Sequence, residues 1–240
     1  MFQINLEFNT ENPVLPKEMD RLLVSFLKAS TRTYSQEFFN MLYDKTKSII
    51  KPFCFSYYLP GAKFQKDKII LDQNSFKMFF SNADLGQAIH FVNAFKLMKN
   101  NKYPMNGNSM NLVSIGIQKR EKINDSEIVV KMQSSLIVRR HDSENNTDTY
   151  YTYEQDGFAQ ALKENTEIFL KRLNMDVSTA GFHIIPIKAK KVIVPVFGRN
   201  VDASLGIFKL TGSPELLNLL YLAGVGVRRS EGHGKFEVIW

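Results

Sequence analysis

The order of strand-like and helix-like hydrophobic patterns restricts the fold of this chain more than any other feature. Residues 1–8 alternate between apolar and polar side chains, which predicts a strand with one buried face. Residues 16–27 begin with a proline and then repeat apolar side chains at a helical spacing, which predicts a helix. A second, short helix is expected over residues 36–44, because its apolar side chains share one side.

The remainder of the first half continues this order. Strands are predicted on both sides of a Pro60-Gly61 turn, and a helix separates them from one more strand. The predicted strands cover residues 52–58, 63–71, 76–80 and 108–118, and the predicted helix covers residues 83–99. The order is therefore strand, helix, two or three strands, helix, strand. This is the βαββαβ pattern of a ferredoxin-like domain with one extra short helix.

The second half repeats the order without repeating the sequence. Its predicted elements are a strand over 127–140, a helix over 158–173, strands over 184–195 and 206–210, a helix over 214–222 and a strand over 235–240. Ser213, Pro214 and Glu215 are typical of a helix N-terminus. A polar linker near residues 121–126 separates the halves. We therefore expect an α+β fold of two tandem ferredoxin-like (RRM-like) domains, residues 1–122 and 123–240.

Charge and composition restrict the class of partner. The net charge of +7 favours a polyanion, since phosphate contacts dominate nucleic-acid affinity. The single cysteine, Cys54, excludes an internal disulfide and a zinc site built on several cysteines. No cluster of Asp and Glu indicates a two-metal site, so neither a metal nor a cofactor is expected. The N-terminus is strand-like and no apolar stretch is long enough to span a bilayer, so we expect a cytoplasmic protein without a membrane partner.

The segment from residue 224 to residue 234 is the most informative stretch of the chain. It contains four glycines and two arginines between an apolar helix and the final strand. Glycine lets the backbone approach a phosphate closely, and exposed amides with arginine side chains form an anion-binding loop. A tight turn that only joins helix to strand is the alternative. The loop is not a dinucleotide fingerprint, because it follows a helix and precedes a strand.

This Gly-x-Gly-x-x-x-Ser-x-Gly-x-Gly loop, in this position, resembles the CRISPR repeat-RNA endoribonucleases, the Cas-six family. Residues 136–140, followed by a polar turn and a tyrosine-rich strand, look like the opening of that family's second domain, and residues 51–56 look like its first-domain strand. The resemblance spans the chain, but only the glycine loop is specific. It implies tandem ferredoxin-like domains, binding of CRISPR repeat RNA as a short hairpin or an unstructured strand, and metal-independent cleavage. A multi-subunit CRISPR effector complex and a homodimer are further partners to test.

Cleavage without a metal uses the 2′-hydroxyl of the RNA to attack the adjacent phosphate, with a base, an acid and cations to assist. Many members of the family have a histidine before the Lys-Pro-Phe strand, where this chain has Tyr43. An isolated tyrosine has a pKa of about 10, so ionising it at neutral pH costs roughly 4 kcal/mol. We hypothesise that Tyr43 with Lys45 or Lys47 occupies the active-site position: a nearby lysine would lower this cost, and a neutral tyrosine can still position the 2′-hydroxyl. The alternative is that Tyr43 only fills a helix–strand junction.

The second half supplies the remaining expected RNA contacts. They are Gly224, Gly226, Arg228, Arg229, Ser230, Gly232, His233 and Gly234 in the loop, Lys188, Lys190 and Lys191 in a predicted hairpin, and Arg139 and Arg140. The lysines alternatively mark a solvated edge strand. Three functions follow: an endoribonuclease that cuts repeat RNA, a non-cutting module that holds repeat RNA, and a scaffold without an RNA role. The missing histidine favours the second, whereas the positive charge argues against the third.

Overall fold

The computed structural model describes residues 1–196 and 198–240. Its elements, in chain order, are β1 (Phe2–Thr10), β2 (Val14–Pro16), α1 (Met19–Tyr34), α2 (Gln36–Tyr43), β3 (Phe53–Tyr58), β4 (Lys63–Phe64), β5 (Lys68–Ile70), β6 (Ser75–Asn82), α3 (Leu85–Met98), β7 (Lys102–Met105), β8 (Asn108–Lys119), β9 (Glu127–Met132), β10 (Val138–Asp142), β11 (Thr147–Tyr151), α4 (Phe158–Arg172), β12 (His183–Val196), β13 (Arg199–Thr211), α5 (Pro214–Ala223), a short 3₁₀ helix (Arg229–Glu231) and β14 (Phe236–Val238).

The chain divides into two compact units. Unit 1 comprises Met1–Lys51 and Ser56–Arg120, and unit 2 comprises Pro52–Phe55 and Glu121–Trp240. The sequence predicts a single boundary between residues 122 and 123. Nothing in the local sequence indicates that residues 52–55 belong to unit 2. Within unit 2, Cys54 is fully buried and its thiol donates to the carbonyl oxygen of Leu222 at 3.5 Å.

The first sheet has five strands in the order β3-β6-β1-β8-β7, of which β6, β1, β8, β7 and residues 56–58 of β3 belong to unit 1. The central strand β1 pairs antiparallel with β6 on one side and β8 on the other. Its alternating residues Ile4, Leu6 and Phe8 are buried, as their period of two predicts. Phe8 stacks on Phe76 of β6 with ring centroids 4.9 Å apart and meets Phe26 of α1 edge-on at 5.1 Å. These rings fix α1 against the sheet, because buried aromatic pairs add directional contacts to apolar burial.

Unit 2 contains a four-stranded sheet in the order β12-β13-β9-β14. Both sheets therefore place the second, third, first and fourth strands of a βαββαβ unit side by side. Helix α5 begins as its sequence predicts, with the Ser213 hydroxyl accepting from the Leu216 amide at 3.2 Å and Pro214 in the first turn. The predicted α+β fold of two ferredoxin-like halves is confirmed.

Two predicted strands are each divided in the structure. The strand expected over 127–140 is two strands, because the amides of Gln133 and Ser134 both donate to the carbonyl oxygen of Lys235 and the chain leaves the ladder there. The following strand, β10, pairs instead with β11 as a separate hairpin. The strand expected over 63–71 is the tight hairpin β4–β5, which the Gln65 amide closes by donating to the Lys68 carbonyl at 2.8 Å.

Strand β13 begins at Arg199, earlier than the predicted start at residue 206. Gly206 interrupts the apolar pattern because it faces a bulge in β12, where the register shifts between Pro186 and Lys188. Its φ of 144° is open to glycine and strained for other residues. Among residues 1–196 and 198–240, no helix is both long and apolar enough to cross a bilayer.

Candidate functional site

Helices α1 and α2 carry a pair of cation–aromatic contacts on one surface of unit 1. The Lys28 ammonium lies 5.4 Å from the Tyr43 ring centroid, and the Arg32 guanidinium lies 4.2 Å from that of Phe39. Side chains four residues apart share a helix face, so the two contacts lie side by side. Lys51 brings a second ammonium to Tyr43, 5.1 Å from its centroid. We call these five residues the α1–α2 basic surface.

The α1–α2 basic surface is held by local structure on both sides. Ser35 separates the two helices, and its hydroxyl accepts from the Phe38 amide at 3.2 Å to cap α2. The Tyr34 hydroxyl lies 2.9 Å from Nδ1 of His90 on α3. Phe38 packs edge-on against Phe91 of α3 with centroids 5.3 Å apart. The aromatic side chains of α2 are therefore fixed before any ligand binds.

The environment of Tyr43 favours the neutral form of its hydroxyl over the ionised form. Its hydroxyl is buried without a hydrogen-bond partner among the described residues, and burial raises the pKa of this phenol above its ordinary value. Burial therefore argues against ionisation of Tyr43 by nearby lysines, and a catalytic role for Tyr43 with Lys45 or Lys47 stays a prediction. Lys45 and Lys47 are exposed, and Lys47 pairs with Asp44 at 3.8 Å. The cations against the tyrosine ring are Lys28 and Lys51, which the sequence reasoning missed because they lie further away along the chain.

The glycines of the 224–234 segment are buried within unit 2. Gly224, Gly226 and Gly234 have φ values of 81°, 77° and 73°, which favour glycine. A Cβ atom at Gly226 would overlap the carbonyl oxygen of Ile137, and one at Gly234 would overlap that of Val225. Close approach of protein backbone accounts for these glycines, rather than the approach of a phosphate. The predicted RNA contacts of the loop glycines, including Gly232, stay predictions.

His233 is also buried, and its Nδ1 lies 2.7 Å from the Ser135 hydroxyl. Burial, with a smaller contribution from the Arg228 cation, lowers the pKa of His233 to about 4. The ring is neutral at physiological pH and does not face solvent. This burial argues for a packing role of His233, and its predicted RNA contact stays a prediction.

The two loop arginines have different surroundings. Arg228, in the left-handed conformation with φ of 61°, is partly exposed and pairs with Glu231 at 3.1 Å. Arg229 is 8% exposed, and its guanidinium carbon lies 3.4 Å from the Phe169 ring centroid. Within the described residues no carboxylate pairs with Arg229, and burial lowers its pKa to about 9. A buried cation without a counter-ion is costly, and a bound anion would relieve that cost. Ser230, the residue after Arg229, is partly exposed.

Arg139 and Arg140 are already paired with carboxylates. Arg140 donates two hydrogen bonds of 2.7 Å each to Glu164 of α4, and this bidentate contact raises its pKa. Arg139 donates to Asp148 at 2.9 Å, and Nδ1 of His141 lies 2.8 Å from the same carboxylate. These contacts fix the β10–β11 hairpin, so the two arginines have less free charge for RNA than their sequence suggests.

The β12–β13 hairpin presents lysines that differ in their pairing. Lys191 forms an ion pair with Asp202 at 2.7 Å. Lys188 and Lys190 are exposed and form no ion pair within the part of the chain that the structure describes. Because they are two residues apart beyond the bulge, they share one face of the strand. Of the three predicted lysines, these two are the ones available for phosphate.

Comparisons with known proteins agree with this fold. Residues 118–238, just over half of the chain, match the family described as CRISPR-associated protein Cas6, C-terminal. A comparison with curated proteins gave no significant match.

Solved structures of similar fold cover nearly the whole chain. An RAMP protein described as binding different RNA substrates is 18% identical with a TM-score of 0.85, and both chains are covered completely. A Cas6-related protein from Pyrococcus furiosus is 17% identical with a TM-score of 0.85, covering 99% of this chain and 98% of that one. A Cas6 product complex is 13% identical with a TM-score of 0.72, covering 99% of each. By its family match, the chain belongs to the CRISPR-associated Cas6 family, whose members bind or process CRISPR repeat RNA.

Proposed function

We propose that this protein is a metal-independent endoribonuclease that cuts CRISPR repeat RNA, with Lys28 and Lys51 acting where many relatives use a histidine. The observation that carries this proposal is the convergence of two ammonium groups on the ring of Tyr43. A lysine ammonium is a compact point charge on a flexible stem, so a phosphate that enters this surface is contacted from two directions. Tyr43 remains neutral and holds the lysines in place.

The chemistry follows the ordinary course of RNA transesterification. The 2′-oxygen attacks the adjacent phosphorus, the bond from phosphorus to the 5′-oxygen breaks, and the products are a 2′,3′-cyclic phosphate and a 5′-hydroxyl. Negative charge accumulates on the phosphate oxygens in the transition state, where preorganised cations are most effective. One ammonium donates a proton to the leaving 5′-oxygen as a general acid. The 2′-hydroxyl proton passes to water, so we expect a slow enzyme.

RNA binding uses further cations of both units. In unit 1, Arg32 extends the α1–α2 basic surface along α1. In unit 2, Lys188 and Lys190 contact phosphates, since they have no carboxylate partner among the described residues. Arg229 binds a phosphate oxygen, which would neutralise its buried charge. We thus propose that the first predicted domain cuts RNA and that the second predicted domain holds it.

A cleavage assay in EDTA with the cognate repeat RNA tests this function. We expect Lys28→Ala and Lys51→Ala each to slow single-turnover cleavage by about 10²- to 10³-fold, the scale of one lost oxyanion donor. The matched controls Lys45→Ala and Lys47→Ala remove exposed lysines that do not contact Tyr43, and they should cut at nearly the parent rate. Tyr43→Phe should also keep the rate, because the deleted hydroxyl is buried. Parent rates for both Lys28→Ala and Lys51→Ala would rule out the lysine site.

A non-catalytic repeat-RNA-binding subunit is the second candidate. The buried, un-ionised hydroxyl of Tyr43 favours it, since no residue of the α1–α2 basic surface is then a general base. In the same assay this protein would shift the RNA in a native gel and leave it intact. An RNA that is neither shifted nor cut would exclude both functions. A multi-subunit effector complex and a homodimer remain predictions, which size-exclusion chromatography with repeat RNA can test.

A further inference from the structure

We propose that unit 1 has a separate site for single-stranded RNA, formed by the exposed strip 63–68 and the cleft beside it. The strip comprises strand β4, the turn after it and Lys68, the first residue of β5, and all of its residues are exposed. This inference rests on the proposed function, because it takes RNA as the ligand. It concerns different residues from the α1–α2 basic surface, so the two can be tested independently.

The strip displays an aromatic ring that the core does not use. Phe64 is 73% exposed, whereas its cross-strand neighbour Ile69 and the next residue in that row, Leu15, are each 1% exposed. Residues directly opposite in a sheet point to the same face. Phe64 therefore continues a buried apolar row beyond the edge of the core, where its ring meets solvent. Such a ring is a stacking platform for an unpaired base.

Lysines flank this ring. Lys63 pairs with Asp72 at 3.5 Å, whereas Lys66 and Lys68 form no ion pair in the described part of the chain. Cations beside an aromatic ring match a single-stranded nucleic acid, whose phosphates and base faces are both accessible. In a duplex the base faces are stacked on one another, so Phe64 would find no partner there. The combination of charge and ring therefore favours single-stranded RNA.

The turn of the strip lines a cleft of about 670 Å³ within unit 1. Lys66 and Asp67 contribute one side of the lining, and Lys17, Arg21 and Tyr103 contribute other parts. The Tyr103 hydroxyl lies 2.7 Å from the Ser25 hydroxyl, and its ring meets Phe26 edge-on at 5.4 Å, so the ring is fixed. Arg21 is held by Glu18 at 3.3 Å. The volume lies within the range of small-ligand sites and suits a nucleotide next to the one stacked on Phe64.

Fluorescence anisotropy with two probes tests the site: a labelled oligouridine, and a labelled duplex of the same length. We expect Phe64→Ala to weaken oligouridine binding by about 5- to 100-fold, the range of base–aromatic stacking. The double variant Lys66→Glu/Lys68→Glu should weaken it further and flatten the slope of log affinity against log salt by about 1.4, or 0.7 for each phosphate contact. Duplex binding should change little in Phe64→Ala. Trp240→Ala and Lys171→Glu are the controls, because they alter an exposed aromatic ring and an exposed lysine in unit 2.

The outcomes separate this site from the proposed function. If the parent protein binds repeat RNA and both strip variants bind oligouridine as tightly as the parent, the strip is not an RNA site and the proposed function stands. If the parent binds no RNA at all, the proposed function and this inference both fail. Unchanged RNA affinity with altered self-association in sedimentation would assign the strip to a protein contact and overturn the proposal. Circular dichroism melts of both variants check that the fold is retained.

Discussion

Buried His233 should make the stability of the protein depend on pH in a specific way. Its Nδ1 lies 2.7 Å from the Ser135 hydroxyl, and its pKa falls from 6.5 to about 4, mainly because of burial. The unfolded chain therefore takes up a proton between pH 6.5 and pH 4 that the folded chain does not. Stabilisation by the neutral ring is complete above the unfolded pKa, decreases as the pH falls through this window and is lost below the folded pKa.

The size of the effect follows from the shift. At about 1.4 kcal/mol for each pKa unit, lowering the pH from 7 to 4 should remove about 3 kcal/mol of unfolding free energy through this residue alone. His233→Asn is the informative variant, because an asparagine side chain can keep a polar atom near Ser135 and does not titrate. The variant will have a different stability at neutral pH, so only the pH dependence is compared.

Urea unfolding followed by circular dichroism at several pH values measures this difference. All other residues are common to both proteins, so subtracting the variant curve isolates the contribution of His233. We expect the parent to lose about 3 kcal/mol more than His233→Asn across the window. Parallel curves of unfolding free energy against pH, or a variant that loses more stability than the parent in acid, would show that burial does not lower the pKa of His233.

Three further predictions concern other residues. Gly206→Ala should lower the unfolding free energy by about 1–3 kcal/mol, seen as a lower thermal midpoint, because its φ is strained for alanine and a Cβ atom would overlap the backbone of β12. Arg140→Ala should lower the thermal midpoint slightly in low salt and less in high salt, since it removes a partly exposed ion pair; equal shifts in both salts would contradict this. Lys188→Glu/Lys190→Glu should weaken repeat-RNA binding in filter assays and flatten its salt dependence, whereas Lys191→Glu should do so less, because that lysine is already paired.

The parts of the fold that could be predicted are those with local signals. Helix α5 has a capping serine, a proline in its first turn and a glycine at its end, and each of these acts within a few residues. Strand β1 alternates regularly because only one of its faces is buried. The break between β9 and β10 could not be predicted. The amides at the break donate to the carbonyl oxygen of Lys235, which lies about a hundred residues further along the chain.

The candidate site shows the same division between local and distant causes. Tyr43 was predicted from its sequence context, whereas Lys28 could not be, because Lys28 reaches the Tyr43 ring only through the packing of α1 on α2. The glycines of the 224–234 segment look like a phosphate loop in sequence. Glycine is used wherever a ligand or protein backbone comes close to the chain, so the sequence alone does not separate the two cases. Only the location of Ile137 beside Gly226 distinguishes the two. The predicted RNA roles of Arg228 and Ser230 stay predictions.

The solitary thiol of Cys54 has a practical consequence. Since it is fully buried, water-soluble maleimides should leave the folded protein almost unmodified, and the rate of reaction should report how often this part of unit 2 opens. Because Cys54 does not react in the folded protein, a cysteine introduced on the surface can carry a dye or a crosslinker, and Cys54 need not be replaced first. Distances between protein and bound RNA can then be measured in a chain whose interior is unaltered.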